Sequence, residues 1–158
     1  MIEEFCDWLS MTPLSVAFQS ANWFVPLVQT VHIIAIAILL MSIYLISFRL
    51  LGLSRRSPPL AATVTTLQPW IWSALCVLLL TGALLTITEP ARELLNWVFR
   101  TKMVLVLILA SVVAIVQLRL RRDPEYWSTR RLLGRCVGVL VLIIGAGIVT
   151  AGRWIAYV

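Results

Sequence analysis

Four long apolar runs leave this chain few ways to fold. They extend from about Trp23 to Phe48, Leu67 to Ile87, Met103 to Leu118 and Cys136 to Tyr157. A helix needs about 20 mostly apolar residues to cross roughly 30 Å of hydrocarbon. The third run is the shortest and must borrow from Lys102 and Arg119, whose stems snorkel to the interfaces. Backbone polar groups in lipid must be satisfied internally, and the alternation of barrel strands is missing, so each run is expected to be an α-helix. Composition excludes the alternatives. Apolar residues make up 61% of the 158 and charged ones only 13%, about half the charge of a soluble domain. A soluble domain this small could not bury so much apolar surface, and a disordered chain would be polar. The expected fold is all-α: an integral membrane four-helix bundle forming one domain over residues 1–158.

Charge placement sets the expected orientation. Arg49, Arg55 and Arg56 follow the first run, and Arg119, Arg121, Arg122, Arg130, Arg131 and Arg135 lie between the third and fourth. These nine basic residues share one side, against Arg92, Arg100, Lys102 and Arg153 on the other. Glu3, Glu4, Asp7, Glu89 and Glu93 lie on the poorer side, and only Asp123 and Glu125 on the richer. The positive-inside rule then puts both arginine-rich loops in the cytoplasm and the N- and C-termini in the periplasm of a bacterial inner membrane. Topology accounts for the net charge of +6, so no nucleic-acid partner is expected.

The first 20 residues lack the basic region and early apolar run of a cleavable signal. They are expected to form short helices lying on the membrane surface, with Ile2, Phe5 and Leu9 on one face and Glu3, Glu4 and Asp7 largely turned away. Thr12 followed by Pro13 reads as an N-cap and first helical residue, restarting a helix through Phe18. The competing reading is a disordered tail.

His32 is the only histidine. Nine residues beyond Trp23, it lies roughly 13 Å below the membrane surface at 1.5 Å per residue. An ionisable group at that depth is a functional candidate, and neutral imidazole is a common haem ligand. The alternative is a neutral histidine hydrogen-bonded to a neighbouring helix. Thr81, Gly82, Ser111, Gly145, Ala146 and Gly147 fall near its level; they either let helices approach or leave room for a flat ring. A bis-histidine haem has no second histidine, Met41 lies too far along the same helix, and Met103 is too shallow. Lys102 and Arg153 sit at the same level near the surface. They would clamp a carboxylate, such as a haem propionate, or pair with Glu89 or Glu93. Trp23, Trp97, Trp127, Trp154, Trp70 and Trp72 fall where an interfacial aromatic belt belongs. Cys6, Cys76 and Cys136 are too far apart to form a redox or metal motif. Phosphate loops, acid pairs and nucleophile–base sets are missing as well.

The segments Trp23-Phe24-Val25-Pro26, Gln29-Thr30-Val31-His32 and Phe48-Arg49-Leu50-Leu51-Gly52 resemble the start of a bacterial membrane family of unknown function, the domain of unknown function 6644 family. Pro69-Trp70, Thr81-Gly82, Asn96 with Phe99 and Lys102, and Gly152-Arg153-Trp154-Ile155-Ala156-Tyr157 extend the resemblance over nearly the whole chain. It implies four spans without an assigned activity, in a layout similar to cytochrome b-like and copper-resistance-D-like bundles. It also implies a histidine late in span three for many members. Here Ala114 to Leu118 offers only Gln117 as a polar candidate.

Two functional expectations follow. The first is a small structural or accessory membrane subunit with no cofactor, surrounded by lipid and packed against itself or other membrane chains. The second is a b-type haem or quinone-linked electron carrier, with His32 as the metal ligand and Arg153 and Lys102 holding acidic groups. An enzyme is the less expected outcome, and a transporter would need repeated halves that the chain lacks.

Overall fold

A computed structural model describes residues 2–53 and 59–154. Arg55, Arg56, Ile155, Ala156 and Tyr157, used above, lie outside the described residues. The elements, in order, are α1 (Ile2–Ser10), α2 (Pro13–Ser20), α3 (Phe24–Leu51), α4 (Leu60–Thr88), α5 (Pro90–Leu94), α6 (Trp97–Arg122), α7 (Tyr126–Thr129) and α8 (Arg131–Trp154). Helices α3, α4, α6 and α8 contain 28, 29, 26 and 24 residues, and all four are long and apolar enough to cross a membrane. The protein is an all-α, multi-pass membrane protein whose outer helix faces contact lipid. Large apolar side chains such as Ile33, Leu79, Leu107 and Ile143 project outward from the four helices, as a hydrocarbon solvent permits.

The helix ends differ from the sequence reading for local reasons. Helix α4 begins at Leu60, well before Leu67, because its threonines satisfy themselves. Thr65 and Thr66 donate to carbonyls of Ala61 and Ala62 one turn back, so hydroxyls ride on an apolar helix at little cost. The third span is not the shortest. Asn96 caps α6 by accepting the Val98 N–H at 2.9 Å, and the helix continues to Arg122 with Arg119, Arg121 and Arg122 in its last turn. Cations there complement the negative end of the helix dipole. Helix α3 ends on Gly52, whose φ of 77° supplies the left-handed residue that closes a helix C-terminus.

Thr12 caps α2 and Pro13 is its first residue, as the sequence predicts. The side chains of α2 extend the bonding across the chain. Ser15, fully buried, donates to the Ile87 carbonyl at 2.8 Å, and Gln19 donates to the Thr88 carbonyl at 2.9 Å. These carbonyls end α4 and would otherwise lack intrahelical partners. Residues 2–20 are therefore two helices, α1 and α2, with α2 bonded to the end of α4. On α1 the buried residue is Cys6; Ile2 and Phe5 stay half-exposed and line a shallow groove with Leu94, Phe99, Arg100 and Met103.

Helix α3 packs against α4 and α8, and α8 also packs against α6. Core residues such as Ile43, Ile71, Leu109, Val113 and Ile144 meet between the four. The α3–α8 contact is close. A methyl group at Gly138 would stand 3.0 Å from the Ser47 carbonyl oxygen, and one at Gly145 2.8 Å from the Tyr44 ring. Small residues bring the backbones together where the hydrophobic effect offers no drive between helices. Trp127 departs from the aromatic-belt expectation. Helix α7 folds it inward against Leu50 and Gly134, leaving it 6% exposed.

Candidate functional site

His32 lies in the third turn of α3, where a 3.6-residue repeat turns it toward α4. Its Nδ1 lies 2.7 Å from Thr81 Oγ1. The Thr81 hydroxyl is also 2.7 Å from the Val77 carbonyl of its own helix. Carbonyl oxygen only accepts, so the hydroxyl proton goes to Val77 and His32 donates Nδ1–H to Thr81. That tautomer leaves Nε2 carrying a lone pair, with no hydrogen bond among the described residues. Gly82 completes the contact: a methyl group there would lie 3.7 Å from His32 Cε1.

Depth matching from sequence thus found two of His32's neighbours, Thr81 and Gly82. The other small residues at that level go elsewhere. Gly145 faces Tyr44, Gly147 faces Leu105, and Ser111 is exposed and donates to the Leu107 carbonyl. Helical rotation, which a depth count ignores, separates them from the imidazole.

Lys102 enters from α6, half-buried and within electrostatic reach of both His32 and Glu93. A side chain at Gly152 would come 3.9 Å from its Nζ, so the end of α8 that carries Arg153 abuts Lys102. Arg153 itself is exposed. Of the two acidic partners considered, Glu89 pairs with Arg92. Glu93 lies on α5, where burial raises its carboxyl above the ordinary value, opposed by Lys102 and Arg92 and aided by Glu89. The structure therefore gathers His32, Thr81, Lys102 and Glu93 at the end of the bundle that bears α1, α2 and α5. Met41 is 61% exposed on the outer face of α3 and turned away from this cluster. Among the described residues, no three His, Cys, Asp or Glu side chains group as metal ligands.

A second polar contact joins α4 to α6. Trp72 Nε1 donates to Gln117 Oε1 at 3.1 Å. Indole N–H only donates, so this bond fixes the amide orientation. Gln117 Nε2 is buried without a partner among the described residues; the side chain lines a void of about 10 Å³ with Ser47, Val113 and Val141. Trp72 is thus more than a belt residue. Sequence reasoning noted Gln117 only for its polarity, because a partner 45 residues away leaves no local pattern.

The profile of a family of unknown function, DUF6644, matches residues 10–158. The chain belongs to this family. No curated protein and no solved structure matches it. In this DUF6644 protein the matched region takes in all four membrane helices and the whole His32–Thr81–Lys102–Glu93 cluster, but begins after most of α1.

Proposed function

We propose that this DUF6644 protein is a small structural or accessory subunit of a bacterial inner membrane, one that packs against a second copy or a larger membrane complex. The observation that carries this reading is the unequal closure of the bundle. Helices α3 and α4, α3 and α8, and α8 and α6 pack closely, while α4 and α6 share no comparable interface and meet through Trp72 and Gln117. A helix from another chain completes such an open side, and His32, engaged with Thr81, then serves as an interhelical bond. Gentle purification followed by identification of co-purifying chains tests this. The expected result is a second copy or a defined larger partner in stoichiometric amount. A monodisperse monomer in native membranes overturns it.

One observation favours a second reading, the b-type haem or quinone-linked carrier. Nε2 of His32 has no hydrogen bond among the described residues, and Lys102 lies within electrostatic reach of the ring, so a ligand there could meet an imidazole lone pair and a cation together. An absorbance scan of the same preparation separates the two. About one haem per chain, lost in His32→Gln, promotes the carrier; a pigment that survives the substitution belongs to a partner chain.

We place both termini in the periplasm, on the nine-to-four division of basic residues. In a background without Cys6, Cys76 and Cys136, an impermeant thiol reagent added to intact cells should label Asn22→Cys and spare Thr129→Cys. Both positions are exposed: Asn22 lies between α2 and α3, and Thr129 ends the short α7. The opposite pattern inverts the topology.

A further inference from the structure

The arginine-rich end of the bundle carries more charge than the chain balances. Arg119, Arg121, Arg122, Arg130, Arg131 and Arg135 are all exposed, and none of the six forms an ion pair among the described residues. The nearest carboxylates in sequence are Asp123, whose Oδ1 accepts the Glu125 N–H at 3.0 Å, and Glu125. One aromatic ring organises two of the arginines. Arg119 lies 5.5 Å and Arg130 4.7 Å from the Tyr126 ring centroid, and Arg130 Nη1 donates to the Tyr126 hydroxyl at 3.0 Å. Cations stacked on a ring are held in place with their remaining N–H groups free to donate.

Helix polarity sharpens the imbalance. Arg119, Arg121 and Arg122 suit the C-terminus of α6, but Arg130, Arg131 and Arg135 crowd the N-terminus of α8, which has no acidic residue in its first turn. There the helix dipole adds to the positive charge instead of offsetting it. An external anion is the missing counter-charge. Arg119, Arg121 and Arg122 close α6, Arg130 directly precedes α8, and Arg131 and Arg135 lie in its first two turns; a lipid phosphate reaches the ends of membrane-crossing helices while its tails stay in hydrocarbon beside α6 and α8. A soluble anion or acidic protein would lack that second anchor.

We propose that this end of the molecule is a seat for an anionic phospholipid, its phosphate held by Arg119 and Arg130 beside Tyr126. The inference stands apart from the subunit reading and does not depend on which leaflet this end occupies. It is tested with the full chain in nanodiscs of phosphatidylcholine containing a minority of phosphatidylglycerol, with retained lipids measured by native mass spectrometry. Phosphatidylglycerol should be enriched over its share of the bilayer. Near-surface arginines contribute about 1 kcal/mol each, so Arg119→Gln with Arg130→Gln should reduce that enrichment about thirtyfold. The pair Arg119→Lys and Arg130→Lys keeps the charge but loses the stacked, forked geometry, and should still lose several-fold. Arg92→Gln with Arg100→Gln, at the opposite end, should change nothing. Equal enrichment in all four proteins overturns the proposal, and an unchanged lysine pair reduces it to diffuse charge, which also overturns it. Displacement of phosphatidylglycerol by a glutamate-rich peptide would assign the surface to a protein partner instead. All four substituted arginines are exposed, and melting in neutral detergent checks that each variant is folded.

Discussion

Helix α8 meets α3 through glycine, whereas α4 meets α6 through one polar bond. Along α3–α8, Gly134, Gly138 and Gly145 face Leu50, Ser47 and Tyr44 at or inside ordinary contact distance. Along α4–α6, Trp72 and Gln117 reach across a seam that the backbones do not close. In lipid, apolar side chains gain little by leaving the solvent, so close dispersion contact and hydrogen bonds must hold helices together. The first seam uses dispersion and is complete within the chain. The second uses a hydrogen bond and leaves room. Rigidity therefore belongs to the α3–α8 pair, and the α4–α6 side is where another chain or lipid contributes.

Adding methyl groups along α3–α8 should produce the largest effect. Gly138→Ala pushes Cβ against backbone, the Ser47 carbonyl at 3.0 Å, and should cost about 1–3 kcal/mol as overpacking does. Gly145→Ala meets a tighter 2.8 Å, but against the Tyr44 side chain, which can move, so its cost should be smaller. Gly82→Ala, at 3.7 Å from His32, should fall within about 1 kcal/mol of wild type, since alanine also favours helix. Thermal unfolding in one detergent ranks the three. Equal costs at all three positions would mean that α3–α8 is packed no more tightly than α3–α4 at Gly82.

Cutting the α4–α6 bond should matter less. Trp72→Phe and Gln117→Leu each remove it, and inter-helix hydrogen bonds in membranes average about 0.6 kcal/mol with a maximum near 1.7. Gln117→Leu should stay at the low end, because Gln117 Nε2 is already buried without a partner and the substitution removes that cost. A double-mutant cycle isolates the pair. Zero coupling would mean that Trp72 is held by its membrane-interface position alone.

The same contrast explains what could be read without coordinates. Four spans, the Thr12–Pro13 helix start and the depth of His32 rest on local composition and rise per residue, which a sequence displays. Thr81 and Gly82 were reachable by counting depth from both ends of a hairpin. Gly145 and Ser111 satisfied the same count yet face Tyr44 and lipid, because rotation about each helix axis depends on packing. The bonds from Ser15 and Gln19 to the end of α4 span about 70 residues and have no periodic signature. Trp127 illustrates the limit: a tryptophan beside arginines fits an interface, and only the short α7 turns it inward. Helix α4 starts seven residues before its apolar run because hydropathy scores a threonine as polar even when its hydroxyl is satisfied by its own helix.

His32 provides a gentler probe of the α3–α4 seam. With Nδ1 donating to Thr81, His32→Gln keeps a donor in the same region, and the expected loss is near 1 kcal/mol or below, the scale of one membrane hydrogen bond. Thr81→Val removes the acceptor and should cost a similar amount, and the double variant should cost little more than either alone. Additive losses would show that His32 and Thr81 act on separate partners, and would direct attention to His32 Nε2.

The smallest effect is expected at Glu93, beside the ionisable cluster but outside the spans. Burial raises its carboxyl above the ordinary value of 4.5, and this outweighs the opposing attraction of Lys102 and Arg92; Glu89 adds to the rise. A raised value means the folded protein keeps its proton to higher pH than the unfolded chain does. Between 4.5 and the raised value the folded state therefore binds more protons, and stability falls as pH rises through that window. Below 4.5 both states are protonated and the contribution is flat. Subtracting the melting profile of Glu93→Gln from that of wild type isolates this residue from the other carboxylates. The difference should decline from pH 4.5 upward and then level off. A difference that instead rises would mean that Lys102 attracts Glu93 more strongly than burial disfavours its charge. The cluster would then be a true ion pair anchoring α5 to α6, and Lys102 would no longer be available to a ligand beside His32.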